Sequence, residues 1–476
     1  MTWALFSPQL VLAIGGTLLL VYDAFTTERG RTRLPIFTQG ILILAGVLLW
    51  LFHSEIGLLF SGMVVFDGFF VFFGSLALLG CLLAVSISAK SLREQESWRG
   101  EFYPLVLFSV LGMLLLISAA NLVIVFLGLE IMSIPLYIMA ALRQTSDRSV
   151  EAGAKYFLMG AFASGFLLYG IALVYGAAGS LSLEDIARAW AEGRGLTFLG
   201  LGGMLLMLVG LAFKIAAVPF HMWEPDAYEG APTAVTTFFA AGPKIAAFAV
   251  LLRLVGWPFA TADPLLWRVA WVLAVLSMTV GNLLAIVQSS VKRMLAYSGI
   301  AHAGYALIGV AVGGRAAAGL VGYYLLGYML AAVGAFAVVA AFERAQEQSL
   351  SFDDCAGLGK TRPALSLVLT LFMISLAGIP PVAGFMGKFY LFEQAVQNGF
   401  IWLVVLAAVN SIISVYYYLR APVYCFMKAA DGTAPPSPIG FGMVFTLVLA
   451  ALGVIIVGVY PELFIRLAAG SGMWSF

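Results

Sequence analysis

The sequence is short of charge, of cysteine and of histidine. Only 10% of its 476 residues are Asp, Glu, Lys or Arg, against roughly 25% in an ordinary soluble domain, and the net charge is +1. Such a chain is not an ordinary soluble domain, and no nucleic-acid partner is expected. Its three cysteines, Cys81, Cys355 and Cys425, lie far apart without a CxxC, so neither a zinc site nor a redox pair is suggested. The three histidines, His53, His221 and His302, are likewise too scattered for a metal cluster. The stretch "GLGKT" at Gly357 resembles the end of a phosphate loop, but the motif's first glycine would fall on Asp354. A dinucleotide fingerprint has no strand to follow in this chain.

What is present is apolar sequence. Hydrophobic residues make up 62% of the chain and the mean hydropathy is +1.02, which marks an integral membrane protein. The apolar runs are about 20 to 27 residues long, enough for a helix to cross a hydrocarbon core of roughly 30 Å, whereas barrel strands stop near 10 residues. The expected fold is all-α and polytopic, with about 14 transmembrane helices by that length rule. The runs start near Trp3, Leu34, Phe66, Tyr103, Leu122, Val150, Phe198, Ala234, Leu265, Arg293, Ala317, Pro363, Phe400 and Ile439. Met1 has no basic region behind it and no small-residue cleavage site follows, so the first run reads as a retained span.

Loop charge sets the expected orientation. One face collects Arg29, Arg31, Arg33, Lys90, Arg93, Arg99, Arg143, Arg148, Lys292, Arg293, Arg344, Lys360, Arg362, Arg420 and Lys428; the other has Arg188, Arg194, Arg253, Arg268, Arg315 and Arg466. The bias predicts both termini on the outer, periplasmic side of a cytoplasmic membrane. Lys155, Lys214, Lys244 and Lys388 fall in no loop.

An internal repeat organises the middle. "YFLMG" at Tyr156 and "YYLLG" at Tyr323 match in size and aromaticity. They lie in the sixth and eleventh spans, and an odd separation turns the second copy upside down in the membrane. The next helix of each copy is broken, by "AAVPFH" around Pro219 and by "LAGIPPVAGFMGK" around Pro380 and Pro381. Broken helices in corresponding positions of two halves point to an ion path.

The buried charges carry the chemistry. A charge at the bilayer centre costs on the order of 2.5 to 3.5 kcal/mol by insertion scales, so it faces a partner or a wet cavity. Glu130, Lys155, Lys214, Lys244 and Lys388 are such residues, and a file of them reads as a proton relay. His302 in "YSGIAHAGYALIG" and His221 could shuttle protons near neutral pH. Blander readings stand beside these. Lys155 lies close enough to Arg148 and Glu151 to snorkel, Glu130 and Lys214 could form a static pair, and either histidine could be a satisfied core or loop residue. Asp226 and Glu229 are expected to be solvated or capping, and Arg253 a snorkelling anchor near a helix end.

Taken together, "FKIAAVPFHMWEPDAYEGAPTAVTTFFAAGPKIAAF", "MLAYSGIAHAGYALIG" and "LAGIPPVAGFMGKF" resemble the antiporter-type subunits of respiratory complex I, and their wording resembles the N branch more than its M and L relatives. The resemblance runs from about the second span onward. It implies 14 helices with two inverted five-helix repeats and one proton channel, in which Glu130 and Lys214 are a coupled pair. Lys244 would be the central relay, Lys388 the exit-side residue, and Lys155 and His302 assisting groups. It divides the chain into an N-terminal three-helix segment (1–100), a first repeat (101–257), an inverted second repeat (258–428) and a C-terminal helix (429–476). It implies no cofactor in this chain, with NADH, FMN, iron–sulfur clusters and quinone in partner subunits. The expected partners are the antiporter-like M and L subunits, the small subunit K, and lipid. A subunit of a cation/proton antiporter complex or of a membrane-bound hydrogenase is the alternative, and a structural subunit with frozen ion pairs is another.

Overall fold

The computed structural model describes residues 2–195, 197–259, 265–343, 350–429 and 439–470. Its main helices in chain order are α1 Ser7–Phe25, α2 Leu34–Leu51, α3 Gly68–Glu94, α4 Phe102–Ile117, α5 Leu122–Ala140, α6 Asp147–Ala178, α7 Phe198–Lys214, α8 Trp223–Gly230 and α9 Thr233–Ala241. They continue as α10 Pro243–Gly256, α11 Leu265–Ile286, α12 Val291–Val312, α13 Gly314–Phe342, α14 Pro363–Ala377, α15 Ala383–Gln397, α16 Ile401–Met427, α17 Phe441–Val459 and α18 Pro461–Gly470. Each apolar run read from the sequence begins within a few residues of one of these helices. Arg344, counted above among the loop charges, lies outside the described residues.

The helices form because backbone groups inside a bilayer must be satisfied within the segment. Where they start, side chains take up the first free N–H groups: Asp67 accepts from the Phe70 amide, Asn121 from Val123 and Ser290 from Arg293. Eleven helices among the described residues are long and apolar enough to cross a membrane, counting α9 and α10 as one, and α4, α7 and α14 are shorter apolar helices. Small residues set several crossings. A Cβ on Gly170 would sit 2.6 Å from the Gly203 carbonyl, and one on Gly281 2.7 Å from the Ala301 amide, so α6 meets α7 and α11 meets α12 backbone to backbone.

Burial grades from outside in. The α9–α10 rod is buried along its whole apolar window, α12 and α13 over 89% of theirs and α3 over 78%, while α1, α6, α11 and α17 are buried over 39%. The outer helices expose Phe162, Trp402 and Ile412, apolar faces suited to lipid or to another membrane chain.

Three departures from the sequence reading stand out. A two-stranded antiparallel hairpin, Gly57–Leu59 with Val64–Phe66, interrupts the all-α pattern, its turn carrying Phe60, Ser61 and Gly62 at positive φ. The two expected breaks are present, residues 215–222 between α7 and α8 and 378–382 between α14 and α15, but a third interruption at Gly242–Pro243 splits α9 from α10. Proline supplies the reason, since it brings no N–H and its ring clashes with the preceding turn. Finally, Arg253 is not a snorkelling anchor but is fully buried, and Lys292 is a buried side chain rather than a loop charge.

Candidate functional site

Lys214 is the last residue of α7 and is 2% exposed. Its ammonium donates to the Tyr156 hydroxyl at 3.2 Å and lies 5.4 and 5.2 Å from the ring centres of Tyr137 and Tyr156. Tyr156 stacks on Trp223 at 4.2 Å with planes 4° apart. The Trp223 indole N–H donates to the Phe213 carbonyl, which also accepts from the Ala216 amide in the tightened turn where α7 stops. Glu130, which the resemblance couples to Lys214, makes no direct contact with it. Glu130 is half-buried on α5, its Oε1 has no hydrogen-bond partner, and no ion pair within 4.0 Å joins it to the lysine. Aromatic faces surround the ammonium instead.

Lys244, the second residue of α10, pairs with a residue that sequence reasoning missed. Its Nζ lies 2.6 Å from Glu224 Oε1, with the lysine side chain 4% and the glutamate 0% exposed. Glu224 stands in a row of three carboxylates that read as a loop but fold into α8. Trp223, Glu224, Ala227 and Tyr228 are buried there, while Asp226 and Glu229 face outward. The signal was present as a spacing of one, four and five residues, one face of a short helix.

Lys155 stands apart from this interior. Its side chain is 44% exposed and pairs with Glu151 at 2.7 Å and Asp226 at 3.0 Å. Arg293 bridges Asp226 and Glu229, both at 2.9 Å, which ties α6, α8 and α12 together at the rim.

The second break holds Lys388, 4% exposed. Gly378, with φ of 82°, turns the chain away from α14 and leaves the Ala377 carbonyl free to accept from Lys388 Nζ at 3.0 Å. The Ser411 hydroxyl also accepts at 3.0 Å, and the Tyr305 ring centre is 4.5 Å away. His302, on α12, bonds the Tyr324 hydroxyl through Nδ1 at 2.5 Å and the Tyr418 hydroxyl through Nε2 at 3.0 Å. Its ring centre is 4.8 Å from that of Tyr328. His221 lies within the first break, buried, with Nδ1 unpartnered. His53 is an exposed loop residue bonding the Trp50 carbonyl.

Two further charged clusters are buried. Arg253 grips Asp67 with two nitrogens at 3.0 and 3.1 Å, and its Nε donates to the Ile117 carbonyl. Lys292 donates to the Ala231 carbonyl at 2.7 Å and lies 4.0 Å from Glu343, whose carboxylate also accepts from Gln95 and Thr233.

The fold and these buried lysines, each beside a helix interruption, define a class: antiporter-like subunits of energy-converting membrane complexes. A family described as "NADH:quinone oxidoreductase/Mrp antiporter, TM" matches residues 119–414. The chain is 45% identical over 466 residues to NADH-quinone oxidoreductase subunit N of Trichlorobacter lovleyi, covering 97% of this chain and 95% of that one. With subunit N of Desulforamulus reducens it shares 41% identity over 460 residues, 96% of each chain. The chain belongs to the subunit N family of NADH:quinone oxidoreductases and is a membrane subunit of that translocase. A chain of respiratory complex I from Thermus thermophilus with bound aureothin superposes with a TM-score of 0.83 at 37% identity, covering 97% of this chain and 99% of that one. A chain of the Mrp complex from Dietzia superposes with a TM-score of 0.87 at 23% identity, covering 100% and 98%, a likeness of fold alone.

Proposed function

We propose that this subunit carries protons through its interior along Lys214, Lys244, His302 and Lys388, driven by NADH oxidation and quinone reduction in partner subunits. One observation carries the reading: every buried lysine of the path sits at a helix interruption. Lys214 ends α7, Lys244 follows Gly242–Pro243, and Lys388 lies ten residues past Gly378 with its ammonium on a carbonyl that the break frees. An interruption supplies unpaired backbone groups that can solvate a charge in a bundle otherwise closed to water. Glu130 acts on Lys214 from a distance. Tyr156, His221 and the rim residue Lys155 assist.

Moving one charge through 100 mV costs about 2.3 kcal/mol, a push that changing one close charge contact supplies in a low-dielectric path. NADH, FMN, iron–sulfur clusters and quinone belong to partner subunits in this reading, and the membrane partners are the antiporter-like M and L subunits and subunit K. The same reading takes the chain as 14 spans with two inverted five-helix repeats, the fourth to eighth and the ninth to thirteenth. Identities of 45% to a subunit N and 23% to an Mrp chain favour it over a cation/proton antiporter.

Lys244→Ala and Lys388→Ala test it in membrane vesicles carrying the assembled complex. Each is expected to lower proton pumping and coupled quinone reduction with assembly intact on a native gel. Full pumping in both variants would remove the lysines from the path.

A further inference from the structure

We propose that Glu224 is the group with which Lys244 exchanges the translocated proton, and that Gly299 keeps the exchange site open. The inference rests on the reading of Lys244 as a proton carrier and adds a carboxylate that reading does not contain.

Two of the buried ion pairs among the described residues are built differently, and the contrast is informative. Arg253–Asp67 is saturated. Both carboxylate oxygens accept from the guanidinium, Oδ1 also caps α3 at the Phe70 amide, and Nε is taken up by a carbonyl. Arginine, moreover, does not give up its proton in proteins. That pair is a fastener.

Glu224–Lys244 is unsaturated. One oxygen meets the ammonium at 2.6 Å, while Glu224 Oε2 and the Tyr228 hydroxyl four residues on are buried without hydrogen-bond partners. Lysine, unlike arginine, loses its proton readily in a dry site. A pair with a spare acceptor and a labile donor is suited to passing a proton.

The surroundings give the pair a way in and a way out. On one side Trp223, the neighbour of Glu224 in α8, stacks on the Tyr156 ring whose hydroxyl holds Lys214. On the other, three polar atoms from three helices converge on the bare backbone of α12. A Cβ built on Gly299 would lie 2.7 Å from Glu224 Oε1, 3.0 Å from Lys244 Nζ and 3.0 Å from the Tyr328 hydroxyl. Three residues along the same helix, His302 lies against the Tyr328 ring. Glycine at 299, with no Cβ, leaves these atoms room to meet.

The step balances without any co-reactant. An N–H bond of the Lys244 ammonium breaks with its electron pair kept on nitrogen, an O–H bond forms at Glu224 Oε1, and the ion pair becomes a neutral amine and a neutral acid. Removing two charges from a dry site offsets the lost attraction between them. Uptake of the next proton by the amine and release from the acid restore the pair one proton further along.

The test uses the assembled complex in vesicles, with pumping per NADH oxidised and assembly both measured. Glu224→Gln is expected to lower pumping roughly tenfold, the order of loss when one partner of a buried hydrogen-bonded pair is removed. Glu224→Asp, which keeps a carboxylate, should recover most of it, and Gly299→Ala should lower pumping by crowding the pair. Added to Lys244→Ala, Glu224→Gln should cost little more, as residues acting in one step do. Near-normal pumping in Glu224→Gln beside impaired Lys244→Ala would overturn the role of Glu224 and leave the lysine path standing. Normal pumping in both would overturn the lysine path itself. Equal loss in Glu224→Asp and Glu224→Gln would make Glu224 a packing residue and overturn the exchange. If Glu224→Gln does not assemble, normal pumping in assembled Gly299→Ala is the overturning result and impaired pumping the supporting one.

Discussion

Arg253 and Asp67 are 0% and 1% exposed and hold α10 to the start of α3 through two parallel hydrogen bonds. Arg253→Met leaves a carboxylate buried without its counter-charge, and breaking such a pair costs about 3–5 kcal/mol. The expected outcome is a marked drop in the thermal midpoint of the complex, or failure to assemble, whereas Arg253→Met combined with Asp67→Leu recovers much of the loss. Equal instability in the single and double variants would show that packing, not charge, is at stake. In sequence Arg253 had only an apolar helix around it, and its partner lies 186 positions away, out of reach of any local pattern. Glu224 was closer to legible, since it stands 20 positions from Lys244. It was hidden because a row of acids beside a proline reads as a solvated loop until α8 turns one acid inward. The lysines themselves were legible because each is an isolated charge in an apolar run.

The helices were readable to within a few residues, because length and hydropathy decide a bilayer span. The hairpin at Gly57–Phe66 was not, since three-residue strands leave no alternation to detect. The interruption at Gly242–Pro243 was legible in part, as a proline that frees backbone carbonyls beside Lys244, though the apolar run continues unbroken across it. Lys244, the second residue of α10 beyond that interruption, meets Glu224 of α8. Pro243→Ala restores a backbone donor and lets α9 and α10 join as one straight helix. Pumping should then fall while the thermal midpoint of the complex holds or rises. Unchanged pumping would mean that the kink does not position the lysine.

At the scale of the whole molecule, orientation rests on the loop charges. Two of the residues counted there are interior: Lys292 is buried at the start of α12, and Arg253 is locked to Asp67. Taking one from each face leaves the asymmetry in place, so both termini are still expected outside the cytoplasmic membrane and the Lys90–Arg99 loop inside. A membrane-impermeant label on tags at either end, applied to intact cells and then to inverted vesicles, checks this. Labelling of the tags from the cytoplasmic side alone would reverse the assignment.

The graded burial of the helices has a further consequence for how the chain can change over time. Lipid tails conform to whatever apolar shape they meet, so wherever lipid covers outward faces such as those around Phe162, Trp402 and Ile412, these are free to drift among apolar residues of many sizes. The α9–α10 rod is buried in protein along its apolar window, and protein interiors are close-packed. There a single added or missing methylene has to be matched by a neighbour. Substitutions should therefore accumulate singly on the rim and only in compensating sets along the rod that carries Lys244.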